Sequence, residues 1–253
     1  MRYGWLLDLP DKRDQSLRAT APPLGLPKYV DLRPDMPEVY DQGDLGSCTG
    51  NACAAAIAYA RKLQGLSVFV PSRLMLYYDA RALEHSTAYD AGAQIRDVIK
   101  GAARNGACPE DMWPYDITKF ADKPSDEAYA SGMKDRAIGY QRVPQTLNDM
   151  RAVLADNNPI VVGISVYESF ESDHVASNAI VPMPQPNESL VGGHAVVVCG
   201  YDDDTQDFIM RNSWGKDWGD AGYFYMPYAY LTDANLACDF WTIRLITPED
   251  AQC

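Results

Sequence analysis

The chain of 253 residues is 47% hydrophobic and 23% charged, enough apolar material to bury one large core or two smaller ones and not the balance of a disordered chain. Lys and Arg number 22 against 35 Asp and Glu, a net charge of -13 with no basic run, so nucleic acid and anionic membrane surfaces are poor partners. A compact enzyme working as a monomer is the default class.

The opening MRYGWLLDLPDKRDQ holds only the short apolar cluster Trp5 to Leu7 before acids appear, neither a secretory hydrophobic region nor a membrane-spanning length. A soluble chain is expected, cytoplasmic or exported by a route that needs no such segment. Residues 1 to 40 are rich in Pro, Gly and charge, and APPLGLPKYVDLRPDMP reads as an extended arm that must lie on something else. From Ser47 the pattern changes. CTGNACAAAIAYARKLQ carries apolar or small residues at helical spacing, with Arg61 and Lys62 in its last turn and Gly65 as a stop.

PSRLMLYYDARAL is a second predicted helix with Ser72 as its N-cap, and AQIRDVIKGAARNG a third that ends near Gly106. The stretch from Cys108 to Gly132 reads as loop, and TLNDMRAVLADNN as a short helix capped by Thr146 with Asp149 three residues on. Beyond it PIVVGISV, HAVVVCGYDD, DFIMRNSW, AGYFYMPYAYL and DFWTIRLI are dense in Val, Ile, Tyr and Phe and read as strands, two of them joined by the turn Asp202 to Thr205. Helices first and antiparallel strands second predict α+β with two lobes. The expected division is an arm over 1–30, a mainly helical lobe over 31–140 and a mainly β lobe over 141–253.

Six cysteines stand at 48, 53, 108, 199, 238 and 253, with no CxxC and no regular spacing, so no disulfide is assumed. Cys53 and Cys199 fall inside helix and strand patterns as small buried hydrophobes. Cys48 differs, because it opens a helix, where unpaired backbone N–H groups and the macrodipole favour a thiolate. A nearby imidazolium would complete an ion pair ready to attack a carbonyl. A helix-start Cys by itself also fits a structural role, but Gln42 and Gly43 precede it, and a carboxamide and the Cys48 N–H can converge on one oxyanion. His194 follows two glycines beside an apolar strand, where a hydrogen-bonded core His is the bland alternative. His85 and His174 lie in polar stretches. Asn212, followed by Trp214 and Trp218, suits the role of orienting an imidazole, although Asn-Ser alone is an ordinary turn.

These segments, QGDLGSC, GGHAVVVCGYD and RNSWGKDWGDAGYF, resemble the three blocks of the papain and cathepsin cysteine peptidases, over about Val30 to Leu245. The resemblance implies the papain-like fold, a helical left lobe and an antiparallel β-barrel-like right lobe with the active-site cleft between them. It implies Cys48 as nucleophile, His194 as base and general acid, Asn212 as orienter, Gln42 as oxyanion-hole side chain and Trp214 as a shield over the His to Asn hydrogen bond. The activity implied is that of a cysteine endopeptidase acting through a thioester on peptide or protein substrates, with endo against exo preference left open by the motifs. Neither metal nor other cofactor is expected, since the motifs hold no ligand cluster and the chemistry needs none.

The chain departs from the family at Leu45, where a disulfide cysteine is usual, and at Thr49, where an aromatic is usual. His194 lies 146 residues after Cys48 and Asn212 lies 164 after, the latter somewhat past the family's usual spacing of about 130 to 150. The missing bridge and the YGWLLDLPDKRD start resemble the bacterial branch. Gly192 and Gly193 match positions bordering the main specificity pocket, which would then accept a bulky apolar or aromatic side chain. Gly92 is expected to pair with substrate backbone, with a simple turn glycine as the alternative. The arm is too short for a helical pro-domain. It either crosses or borders the cleft and restrains activity, as in a zymogen, or packs on the back of a lobe. Two other functional classes fit the same residues: a transglutaminase or ligase that passes the thioester to an amine, and a catalytically silent binding protein.

Overall fold

The computed structural model describes residues 2–17 and 25–248. Its helices are α1 (Cys48–Leu63), α2 (Arg73–Leu83), α3 (Ile95–Asn105), α4 (Asp126–Gly132), α5 (Leu147–Ala155), α6 (Asp173–Asn178) and α7 (Tyr228–Thr232). α1 is buried from Cys48 to Arg61. Its run of alanines lets neighbours approach from every side, so it forms the axle of the molecule, in contact with α2 and α3 on one flank and with the sheet on the other. It stops at Gln64, after which Gly65 turns the chain at φ +67°. Ser72 caps α2 by accepting from the Met75 N–H at 3.2 Å, and Thr146 caps α5 by accepting from the Asp149 N–H at 3.1 Å. α3 ends at Gly106, where a Cβ would stand 1.6 Å from the Gly132 carbonyl oxygen.

The strands are β1 (Trp5–Leu6), β2 (Tyr29–Asp31), β3 (Ala93–Gln94), β4 (Asp135–Arg142), β5 (Ile160–Tyr167), β6 (Leu190–Asp202), β7 (Asp207–Arg211), β8 (Tyr223–Pro227) and β9 (Ala237–Pro248). Six pair antiparallel in the order β4-β9-β5-β6-β7-β8, with β2 added on β6. The sheet is open rather than closed into a barrel, its path running from β4 to β8. It takes β2 and most of β4 from segments ahead of residue 141. β1 stands apart and pairs parallel with β3, Trp5 opposite Ala93 and Leu6 opposite Gln94.

Two sequence expectations need correction. The stretch from Cys108 to Gly132 is not all loop: it carries a single 3-10 turn at Ile117–Lys119 and α4, whose cap Ser125 accepts from the Ala128 N–H at 3.1 Å. The segment AGYFYMPYAYL is not one strand, because Pro227 ends β8 and Tyr228 begins α7. A proline has no N–H to extend the ladder, and its fixed φ suits a helix entry.

Candidate active site

Cys48 is the first residue of α1, fully buried, and the backbone N–H groups of Ala195 and Gly4 lie close to its sulfur. Ala195 follows His194 in β6, so the helix that carries the thiol abuts the strand that carries the imidazole. His194 Nε2 is 2.8 Å from Asn212 Oδ1. That oxygen also accepts from the Ser213 N–H at 2.8 Å, which fixes the carboxamide's orientation. An oxygen that only accepts puts the ring proton on Nε2. Nδ1 is left as the lone-pair nitrogen, with no hydrogen-bond partner among the described residues.

The indole of Trp214 stacks on the imidazole, centroids 5.0 Å apart and planes at 23°. Trp218 and Phe170 meet Trp214 edge-on at 5.2 and 5.5 Å. This aromatic packing keeps water from the His194 to Asn212 bond, which raises its worth. On the other side of the thiol, Gln42 is wholly buried and held at both ends. Ser213 Oγ donates to its Oε1 at 2.6 Å, which turns Nε2 toward the Leu45 carbonyl at 2.9 Å and the Arg2 carbonyl at 3.1 Å.

The chain's own beginning lies across these groups. Gly4 is so close to the loop before α1 that a Cβ on it would stand 1.8 Å from the Gly46 carbonyl oxygen, and its own carbonyl accepts from the Ala93 N–H at 2.8 Å. The Tyr3 ring sits edge-on to His194 at 5.9 Å and to Trp214 at 6.2 Å. Trp5 lies against Gly163 and Gly193 and donates its Nε1–H to Asp239 Oδ2 at 3.1 Å. Asp8 accepts from Trp241 Nε1 at 2.8 Å and Arg142 Nη2 at 2.9 Å. Further along, Asp14 meets Arg142 Nε at 2.8 Å and Asp11 meets Lys100 at 3.1 Å.

Burial sets the protonation state beneath this cover. It pushes the Cys48 thiol up to about 11, the nearby N–H groups opposing the rise, and pushes His194 down to about 4, opposed by its bond to Asn212. The thiolate and imidazolium expected from the helix start are therefore replaced here by neutral thiol and imidazole. Desolvation, to which the overlying arm and the stacked Trp214 both contribute, outweighs the dipole.

Gln42, Cys48, His194, Asn212 and Trp214 thus come together. Gly192 and Gly193 lie beside them under Tyr3 and Trp5, where a Cβ on either glycine would meet those side chains at 2.8 Å. Gly92 adopts φ +77°, and a Cβ there would come within 2.4 Å of the Gly4 carbonyl oxygen, so an extended backbone already runs against it. Leu45 and Thr49 are buried. All five cysteines of the described residues are free, and Cys253 lies outside them. Sequence reasoning missed Ser213, Tyr3, Trp5, Gly163 and Asp239. The signal available was the pair of aromatics flanking a glycine, YGW, in an otherwise polar arm.

A thiol at the head of a buried helix, set against an imidazole strand of an antiparallel sheet, is the arrangement of an enzyme that works through a cysteine thioester. The model of the papain family cysteine proteases matches residues 26–239, which narrows this to a cysteine peptidase, and the chain belongs to that family. An uncharacterized peptidase C1-like protein of Acanthamoeba polyphaga mimivirus is 40% identical, the match covering 97% of this chain and 87% of the relative. A solved structure, Xylellain, a cysteine protease from Xylella fastidiosa, superposes with a TM-score of 0.89 at 42% identity, covering 96% of this chain and 95% of that one. That match agrees with the likeness to the bacterial branch. The digestive procathepsin L 3 of Tenebrio molitor shares the fold, with a TM-score of 0.70 at 21% identity over 93% of this chain and 74% of that one.

Proposed function

We propose that this cysteine peptidase works through Cys48, His194 and Asn212, with Gln42 Nε2 and the Cys48 backbone N–H as oxyanion donors. The observation that carries the reading is the ordered line from Asn212 Oδ1 through His194 Nε2, which leaves Nδ1 as a free base beside the strand residue, Ala195, whose N–H approaches the Cys48 sulfur. Nδ1 takes the thiol proton as sulfur attacks the peptide carbonyl, and the resulting oxyanion is held by the two donors. The imidazolium then gives its proton to the leaving amine, which departs and leaves a thioester. Water, deprotonated by the same nitrogen, attacks that thioester and releases the acid and the thiol. Asn212 and the stacked Trp214 keep the ring in this tautomer throughout.

Peptides or proteins are the substrates of the family. The chain acts on them as a monomer, and its charge of -13 keeps nucleic acid and anionic membranes away. Gly92 pairs with substrate backbone. Gly192 and Gly193 border a subsite open to bulky apolar or aromatic side chains, as the place of Tyr3 and Trp5 against them supports. Residues 1–30 are a restraint on that cleft, because Arg2, Tyr3, Gly4 and Trp5 occupy the oxyanion donor, the imidazole face, the thiol and the specificity slot in turn.

The test is alkylation by a thiol-directed epoxide followed by peptide mapping. Label is expected on Cys48, with loss of peptidase activity in step. Label on another cysteine, or activity that survives full labelling of Cys48, overturns the assignment. Size-exclusion chromatography with light scattering is expected to give a single protomer.

A further inference from the structure

We propose that the slot beside the catalytic groups reads tryptophan, and that Asp239 is its specificity-determining residue. The inference rests on the site assigned above and goes past its bulky or aromatic preference.

The slot has three walls that together fit one side chain. A Cβ on Gly163 would lie 2.0 Å from Trp5 Cε2, and one on Gly193 would lie 2.8 Å from Trp5 Cε3, so two glycines from adjacent strands clear the width of an indole. Asp239 closes the base. It is buried at 7% exposure and holds φ at +59°, a backbone state that aspartate tolerates better than most residues. Its Oδ2 accepts two donors, Trp5 Nε1 at 3.1 Å and the Asp8 N–H at 2.8 Å, and its Oδ1 faces Arg142 Nη1 at 3.4 Å.

Both donors to Oδ2 belong to the arm. Once the arm lifts, Asp239 keeps Arg142 as its ion partner and loses every neutral N–H it now accepts. A carboxylate so placed, covered again when a side chain enters the slot, favours an entering group that restores a donor. The donor must be uncharged, because Arg142 already neutralises Asp239 and also loses Asp8 and Asp14 when the arm leaves. An arginine or lysine tip would therefore meet an ion pair that is already neutral and give up its hydration without gaining a net opposite charge, whereas phenylalanine and leucine fill the slot without supplying an N–H. Of these side chains only tryptophan, whose indole the slot already holds, satisfies width, donor and charge together. A site built to bond a substrate N–H discriminates strongly against analogues that lack it.

The first comparison leaves the slot and the catalytic groups unaltered and exchanges the indole N–H hydrogen of the substrate for a methyl group. The full-length chain carrying Gly4→Val, whose side chain collides with the Gly46 carbonyl and displaces the arm, is assayed on quenched peptides. Tryptophan, 1-methyltryptophan, phenylalanine, leucine and arginine are exchanged in turn at each position flanking the scissile bond. At one position tryptophan is expected to exceed 1-methyltryptophan, phenylalanine and leucine in kcat/KM by about tenfold or more, with arginine lowest. That ratio is expected to shrink severalfold in Asp239→Asn, which tolerates the same φ and keeps an acceptor oxygen without the charge. In Gly163→Ala, tryptophan is expected to lose more than alanine at the same position. Equal rates for tryptophan and 1-methyltryptophan at every position overturn the proposal while leaving the peptidase assignment standing. Cleavage of no peptide, together with a Cys48 that resists alkylation, overturns both.

Discussion

The carbonyl oxygen of Arg2 accepts a hydrogen bond from Gln42 Nε2 at 3.1 Å, so a backbone oxygen from the arm stands on the donor that the mechanism assigns to a substrate oxyanion. Two residues later the Gly4 N–H lies close to the Cys48 sulfur. The arm thus contacts both the Gln42 carboxamide and the thiol.

Gly4→Val tests restraint directly. No side chain fits between Gly4 and the Gly46 carbonyl, so the full-length variant is expected to cleave small peptides at least about tenfold faster than the unaltered chain, equivalent to about 1.4 kcal/mol of lost docking. Unchanged kcat/KM in both chains would show that the arm is no barrier.

Asn212→Ala removes the acceptor that holds Nε2 protonated. The imidazole then samples the other tautomer and other orientations. A fall of about 10 to 100-fold in kcat, or about 1.4 to 2.7 kcal/mol of transition-state stabilisation, is expected in steady-state assays, with Cys48 still present and alkylated more slowly.

Ser213→Ala probes Gln42 without touching it. The 2.6 Å bond from Ser213 Oγ to Gln42 Oε1 decides which end of the carboxamide faces the Arg2 and Leu45 carbonyls. Its loss is expected to lower kcat severalfold with KM little changed, since the donor acts on charge that develops only during reaction. A change in KM alone would assign Gln42 to ground-state binding.

The pH dependence of arm docking combines two opposing groups. Burial, and then Asp239, raise Asp8 from 3.8 to about 6 in the docked state, so this group strengthens docking as pH falls from about 6 toward 3.8. Burial lowers His194 from 6.5 to about 4, so this group weakens docking as pH falls through the same range. The two slopes offset one another in the unaltered chain. In Asp8→Asn the His194 slope is no longer offset by Asp8. Hydrogen exchange of residues 2–9, corrected for intrinsic rates, is expected to be faster near pH 4 than near pH 6.5 in that variant. A flat profile in Asp8→Asn would remove His194 from the linkage.

Much of the fold was legible because its signals are local. The alanine-rich period of α1 and its Gly65 stop, the Ser72 and Thr146 caps, and the β-branched runs of β5 and β6 each announce themselves within a dozen residues. The aromatic run from Tyr223 to Tyr230 misled, because tyrosines suit strands and only Pro227 marked the break. α4 was hidden by the charged residues around Ser125. At the site, Gln42, Cys48, His194 and Asn212 were readable from motif and chemistry. Ser213 was not, since its bond to Gln42 spans 171 residues. Nor was the neutral state of Cys48 and His194. The dipole argument uses one helix, whereas the desolvation comes from residues distant in sequence, Tyr3, Gly4 and Trp214 among them.

Gly4 and Cys48 belong to one covalent chain, and that sets the molecularity of closing. A tethered occupant returns at a rate fixed by chain length rather than by how much protein is present, so dilution does not empty the groove as it would strip a dissociable inhibitor. At a given sequence and pH, a cut in the tether, or a competitor that outlasts its return, changes the balance.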